Sequence, residues 1–150
     1  MNATAKDTRA TIIAVMRYRD ADAALKFLTD IFGFAEHTVY RGEDGEVQHA
    51  ELSFGNGMIM IGPVDGTAFG RLMREPREAG GVTGALYVIV ADPDAHHAKS
   101  VEAGFDIVME LRDVFYGERE YSVRDPEGNI WTFGTYDPWV AQEPGDAPPA

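Results

Sequence analysis

Apolar and polar positions along the chain change rhythm in an order that occurs twice. Thr11 to Tyr18 is an apolar, β-branched run of the kind that forms a buried strand. Asp20 is then placed as an N-cap, and from Ala21 to Phe32 the apolar positions Ala24, Leu25, Leu28, Ile31 and Phe32 recur at three- and four-residue spacing. That spacing predicts an amphipathic helix, which Gly33 is suited to end. Phe34 to Arg41 and Glu46 to Phe54 read as a hairpin around Glu43-Asp44-Gly45, and Gly55-Asn56-Gly57 turns the chain into a further strand, Met58 to Gly62. The unit is βαβββ. After a charged loop with glycines and prolines, Pro63 to Gly81, the order returns. Thr83 to Ala91 is a strand, a helix runs from about Asp94 to Ala103 with Gly104 as its stop, and strands follow near Phe105 to Leu111, Arg119 to Arg124 and Asn129 to Tyr136.

Neither unit is large enough to bury a sheet face alone. The expected fold is therefore α+β, with two βαβββ modules joined in one curved eight-stranded sheet, helices on its outer face and an open cup on the inner one. The modules span about 11–62 and 83–136 of one domain, with a linker over 63–82 and a Pro-, Ala- and acid-rich tail, expected to be mobile, over 137–150. Alternation assigns the faces. Ala50, Leu52 and Phe54 belong beneath a helix, and His49, Glu51 and Ser53 on the opposite side. Trp131 and Phe133 likewise belong beneath a helix, with Ile130, Thr132 and Gly134 facing the cup.

Charge narrows the list of guests. With 25 acidic against 13 basic residues the formal net charge is −12, which repels nucleic-acid backbones and anionic membranes. The absence of cysteine excludes a disulfide framework, a thiolate metal site and a cysteine nucleophile. No window approaches the roughly 18 apolar residues of a membrane span, and the first residues lack a secretory apolar region, so a cytoplasmic protein is expected. Neither a Gly-x-Gly-x-x-Gly nor a Walker-type loop is present.

Candidate chemistry concentrates in a few places, each with a plainer alternative. His49 and Glu51, at i and i+2, could form an acid/base pair, part of a metal site or a set of hydrogen-bonders for a ligand; a structural polar pair at a sheet surface is the alternative. Tyr116, Arg119 and Tyr121 read either as an aromatic and cationic rim that clamps a ligand or as a Gly117 hairpin with Tyr121 in the core. Asp125 and Asn129 look catalytic in isolation, but the turn Asp125-Pro126-Glu127-Gly128-Asn129 assigns them to backbone capping. His96 and His97 are neighbours on a helix, point roughly 100° apart and cannot easily share a metal.

The duplicated βαβββ order, Arg17-Tyr18-Arg19-Asp20 ahead of the first helix, His49-Ala50-Glu51-Leu52 in the third strand and Arg124-Asp125-Pro126-Glu127-Gly128-Asn129-Ile130-Trp131 near the end resemble the vicinal oxygen chelate superfamily, which holds glyoxalase I, extradiol dioxygenases, and fosfomycin and bleomycin resistance proteins. The resemblance implies the paired-module cup and a homodimer. It also implies four metal-binding positions, one on the first strand and one on a later strand of each module. Here those positions carry Ile13, Glu51, Ala85 (Leu86 if the register slips by one) and Thr132, a degraded set with one good ligand. The resemblance is closest to the non-metal, bleomycin-resistance-like branch. It leads to an expectation of metal-independent binding of a small, cationic molecule, of the resistance or sequestration type, with His49, Glu51, Thr132, Tyr116 and Arg119 as ligand contacts and no cofactor. The alternative is a glyoxalase-type lyase or isomerase, or a dioxygenase-like enzyme, using Glu51 with a divalent metal.

Overall fold

The computed structural model describes residues 7–140, apart from the side chain of Tyr116. The tail expected over 137–150 therefore lies, from residue 141 on, outside the described residues. The chain divides into two compact units, Met1–Glu75 and Pro76–Ala150, and the boundary falls inside the predicted linker.

In the first unit, strand β1 (Ala14–Tyr18) leads into helix α1 (Ala21–Asp30), followed by β2 (Ala35–Arg41), β3 (Val47–Phe54) and β4 (Gly57–Pro63). The sheet order is β1-β4-β3-β2, with β1 parallel to β4 and the other pairs antiparallel. Asp20 caps α1 by accepting the Ala23 amide at 2.9 Å. The helix buries Ala21, Ala24, Leu25, Phe27 and Leu28. Tyr18, Phe27 and Phe32 meet edge to face beneath it, with ring centroids 5.8 Å apart, and Ala50 and Leu52 are fully buried as alternation predicts.

The second unit repeats this order after two short elements, a 3-10 turn at Gly70–Leu72 within the first unit and the one-turn helix α2 (Pro76–Ala79). Strand β5 (Leu86–Ile89), helix α3 (Pro93–Glu102), β6 (Asp106–Asp113), β7 (Arg119–Arg124) and β8 (Ile130–Gly134) give the sheet order β5-β8-β7-β6, with β5 parallel to β8. Asp92 caps α3 through the Ala95 amide, and Pro93 occupies its first turn. Gly104, at φ +78°, ends it: its amide reaches Val101 O and that of Phe105 reaches Ser100 O, a Schellman closure. The architecture is α+β, as expected.

Two strands are shorter than the apolar runs imply. The run from Thr11 yields a strand only from Ala14, where pairing with β4 begins at Ala14↔Ile59. Ile12 is 90% exposed. The run from Thr83 yields only Leu86–Ile89, since its partner β8 is five residues long. Among the described residues, no helix is long and apolar enough to cross a membrane.

Candidate functional site

The inner face of the second unit's sheet carries the site. Cross-strand register sets Tyr87 beside Thr132, Thr132 beside Ser122 and Ser122 beside Met109. The next row brings Gly134 beside Glu120 and Glu120 beside Arg112. Met109 and Arg112 are three apart in β6, so strict alternation would separate them; a register shift between them acts as a bulge and turns both to one face. With Ala85, Phe115, Tyr136 and Pro138, these residues other than Gly134 line a cavity of about 580 Å³, within the range of small-molecule sites.

Its polar groups are mostly paired with one another. The hydroxyls of Ser122 and Thr132 are 2.6 Å apart, and Arg112 donates to Glu120 Oε1 at 2.9 Å. Glu120 is 8% exposed. Tyr87 donates its hydroxyl to Tyr136 O at 2.8 Å, and Phe115 meets Tyr136 edge-on at 4.8 Å. Burial, then the nearby Glu120 charge, push the Tyr87 phenol up to about 12, although the residue as a whole is 40% exposed. Gly134 makes this proximity possible. A Cβ there would stand 2.8 Å from the Tyr87 hydroxyl and 2.9 Å from Glu120 Cβ.

The opposite face of the same sheet is core. Trp131 and Phe133 stack at 6.1 Å beneath α3, and His96 lies 3.9 Å from the Phe133 ring. Tyr121 is fully buried and shares its hydroxyl with His96 Nδ1 at 2.5 Å and Ser100 Oγ at 2.8 Å. Burial pushes this phenol too up to about 12. His97 packs edge-on to Tyr121, its Nε2 buried 3.4 Å from Glu110, close enough for an ion pair but without a hydrogen bond.

Arg119 belongs to this face and not to the cavity. It forms a two-pronged pair with Asp94 at the start of α3, at 2.9 and 3.2 Å, and a third bond to Asp113 at 3.1 Å. The hydrogen bonds from Arg119 hold the Asp94 carboxyl below its ordinary range. The rim expected of Tyr116, Arg119 and Tyr121 is therefore not assembled: Tyr121 is core, Arg119 ties helix to sheet, and the Tyr116 side chain lies outside the described residues. Asp125, 3% exposed, fills the turn role: its carboxylate accepts from the Glu127 and Asn129 amides and from Trp131 Nε1.

In the first unit, His49 Nε2 stands 3.1 Å from Glu51 Oε2, and Tyr40 lies over the His49 ring at 5.9 Å. Arg17 lies across Gly62 on the same face, its guanidinium 5.1 Å from the Phe69 ring centre. The register also revises which positions correspond between modules. Val15 and Tyr87 stand equally far ahead of the caps Asp20 and Asp92; Val15 pairs with Met60 and Met60 with Glu51, as Tyr87 pairs with Thr132 and Thr132 with Ser122. The repeat counterpart of Thr132 is thus Met60, and that of Glu51 is Ser122. Ile13 and Ala85 each fall just before their strands. The Ile13, Glu51, Ala85, Thr132 set mixes unlike positions, and the corresponding first- and last-strand neighbours, Val15 with Met60 and Tyr87 with Thr132, include no carboxylate or imidazole. Among the described residues, no three His, Asp or Glu side chains gather where they could hold a metal ion.

A duplicated βαβββ module with a ligand-sized cavity on the sheet face away from the helix defines the class. The chain belongs to the Glyoxalase/Bleomycin resistance protein/Dioxygenase superfamily, whose sequence pattern it matches over residues 11–133. It is 30% identical over 115 residues to Rv0887c, an uncharacterised protein of Mycobacterium tuberculosis, covering 77% of this chain and 68% of that one. Among solved structures it resembles TioX from Micromonospora sp. ML1, at 31% identity and a TM-score of 0.66, over 89% of this chain and all of that one. It shares its fold with a lactoylglutathione lyase from Agrobacterium tumefaciens, at 20% identity and a TM-score of 0.55, over 86% of this chain and 95% of that one.

Proposed function

We propose that the protein binds a small molecule without a metal, in the cavity of its second module, and sequesters it unchanged. The observation that carries this reading is the cavity itself: aromatic rings wall it, and Thr132, where a chelate would need a donor, spends its hydroxyl on Ser122. Rings supply contact area to a flat guest at little entropic cost. The homodimer and the cytoplasmic location expected from the sequence belong to the same reading.

The test is a melting screen against aromatic natural products, antibiotics included. A guest at one hundred times its dissociation constant adds about 2.7 kcal/mol of stability, a shift of about 5–10 °C for a chain of this size. The guest should be recovered intact, and the shift should survive exhaustive treatment with a chelator. Loss of the shift on chelation, with stoichiometric metal in the purified protein, would overturn metal independence.

A second reading rests on the His49–Glu51 contact, in which a base is held by a neighbour as in proton-transfer sites. It makes the protein a glyoxalase-type lyase or isomerase in which Glu51 takes a proton next to a carbonyl. Deuterium exchange at such a carbon, lost in Glu51→Gln, would favour it; a bound guest that exchanges nothing would remove it.

A further inference from the structure

Resting on the binding reading above, the geometry points to a guest that carries an ammonium or guanidinium group on a flat body, held by Glu120 after it displaces Arg112 from that carboxylate. The Glu120–Arg112 pair is unequal. Glu120 is enclosed, its side chain only 11% exposed, and the backbone of Gly134 runs close against its Cβ. Arg112 sits on the edge strand β6 with its side chain 44% exposed, so its guanidinium can return to solvent and regain both hydration and rotamer freedom. An enclosed carboxylate needs a cation, but not this one in particular.

The walls favour the same sign. Tyr136 lies 4.8 Å from Phe115 and 6.5 Å from Tyr87, a set of rings whose faces attract a cation. No side chain on Gly134 stands between Tyr87 and Glu120, so the carboxylate and the ring lie close together on the same cavity wall. The chain's net charge of −12 raises the local concentration of cations. A neutral guest would leave Arg112 in place, and an anionic one would have to face Glu120.

Three probes with one body and different charge test this by calorimetry at pH 7 and low salt: 2-naphthylmethylammonium, 2-naphthylmethanol and 2-naphthoate. The ammonium should bind at least about tenfold tighter than the alcohol, and the carboxylate most weakly. Glu120→Gln should bring the ammonium down to the level of the alcohol. Arg112→Ala should tighten the ammonium, and by a larger factor than it changes the alcohol, a gain that misfolding cannot produce. Equal binding of ammonium and alcohol would overturn the role of Glu120 while leaving the cavity as a binding site. Tightest binding of 2-naphthoate would make Arg112 the recognising group and overturn the exchange, as would weaker ammonium binding in Arg112→Ala. Failure of all three probes would overturn this inference and the binding reading together.

Discussion

The two modules repeat one topology and fasten helix to sheet by different chemistry. In the first, α1 offers five buried apolar or small residues to a sheet of aliphatic and aromatic side chains. In the second, α3 buries only Pro93 and Ser100, and its hold on the sheet runs through Ser100, His96 and Tyr121, with His97 packed beside them. The other sheet faces differ as well: the first presents the His49–Glu51 pair and Arg17, the second an aromatic cavity with one enclosed carboxylate. One topology thus supports two kinds of core and two kinds of surface, because the hydrogen-bonded ladder sets the geometry and the side chains remain free to vary within it.

The sharpest test of this contrast compares matched changes on the two helices. Leu28→Ala, at a fully buried site of α1, should cost about 3 kcal/mol in urea denaturation. Val101→Ala on α3, where the side chain is half exposed, should stay within about 0.5 kcal/mol. Similar losses would mean that α3 is held by apolar packing after all.

The turns give the next largest difference. The second module turns on a buried carboxylate that satisfies two amides and an indole N–H, so Asp125→Ala should cost about 2–3 kcal/mol. The corresponding turn of the first module, Gly55-Asn56-Gly57, depends on backbone conformation at Gly55 (φ +56°), and Asn56→Ala should cost less than about 1 kcal/mol. Thermal denaturation of both variants reads the difference directly. Tyr121→Phe follows, at about 1–2 kcal/mol, because it leaves His96 and Ser100 without their shared hydroxyl.

Much of this was legible in the sequence, and the exceptions have physical causes. Asp20 and Asp92 act through local hydrogen bonds, so the helix starts could be read from neighbouring residues alone; alternation similarly assigns Ala50, Leu52, Trp131 and Phe133 to the core. Alternation along Arg119 to Arg124 also carries the signal for Glu120 and Ser122, since it sets them opposite Tyr121 and Val123. Met109 and Arg112 could not be placed that way, because the bulge that brings them together depends on pairing with β7. The short extent of β5 was hidden for the same reason: a strand extends only as far as its partner, whatever its own propensity. Ile13 and Ala85 fall just before their strands, one step outside the paired register that counting back from the helices cannot see. The tie from Arg119 to α3 is not legible locally, because its partner Asp94 is 25 residues away and no local pattern couples them.

The smallest effect separates the two faces of the second sheet. Tyr87 on the cavity side and Tyr121 beneath α3 both have phenols pushed up to about 12, chiefly by burial, but only for Tyr87 does the Glu120 charge add to the shift. A phenol whose folded value exceeds its unfolded value of about 10 holds its proton longer in the native state. Its contribution to stability is therefore complete below about pH 10 and is lost as the pH rises towards about 12. Absorbance titration should show steps near pH 12 that disappear one at a time in Tyr87→Phe and Tyr121→Phe. In Glu120→Gln the Tyr87 step should move part of the way down while the Tyr121 step stays in place. Equal movement of both would mean that the carboxylate acts through the stability of the whole sheet, and no movement of Tyr87 would mean that its field does not reach the cavity.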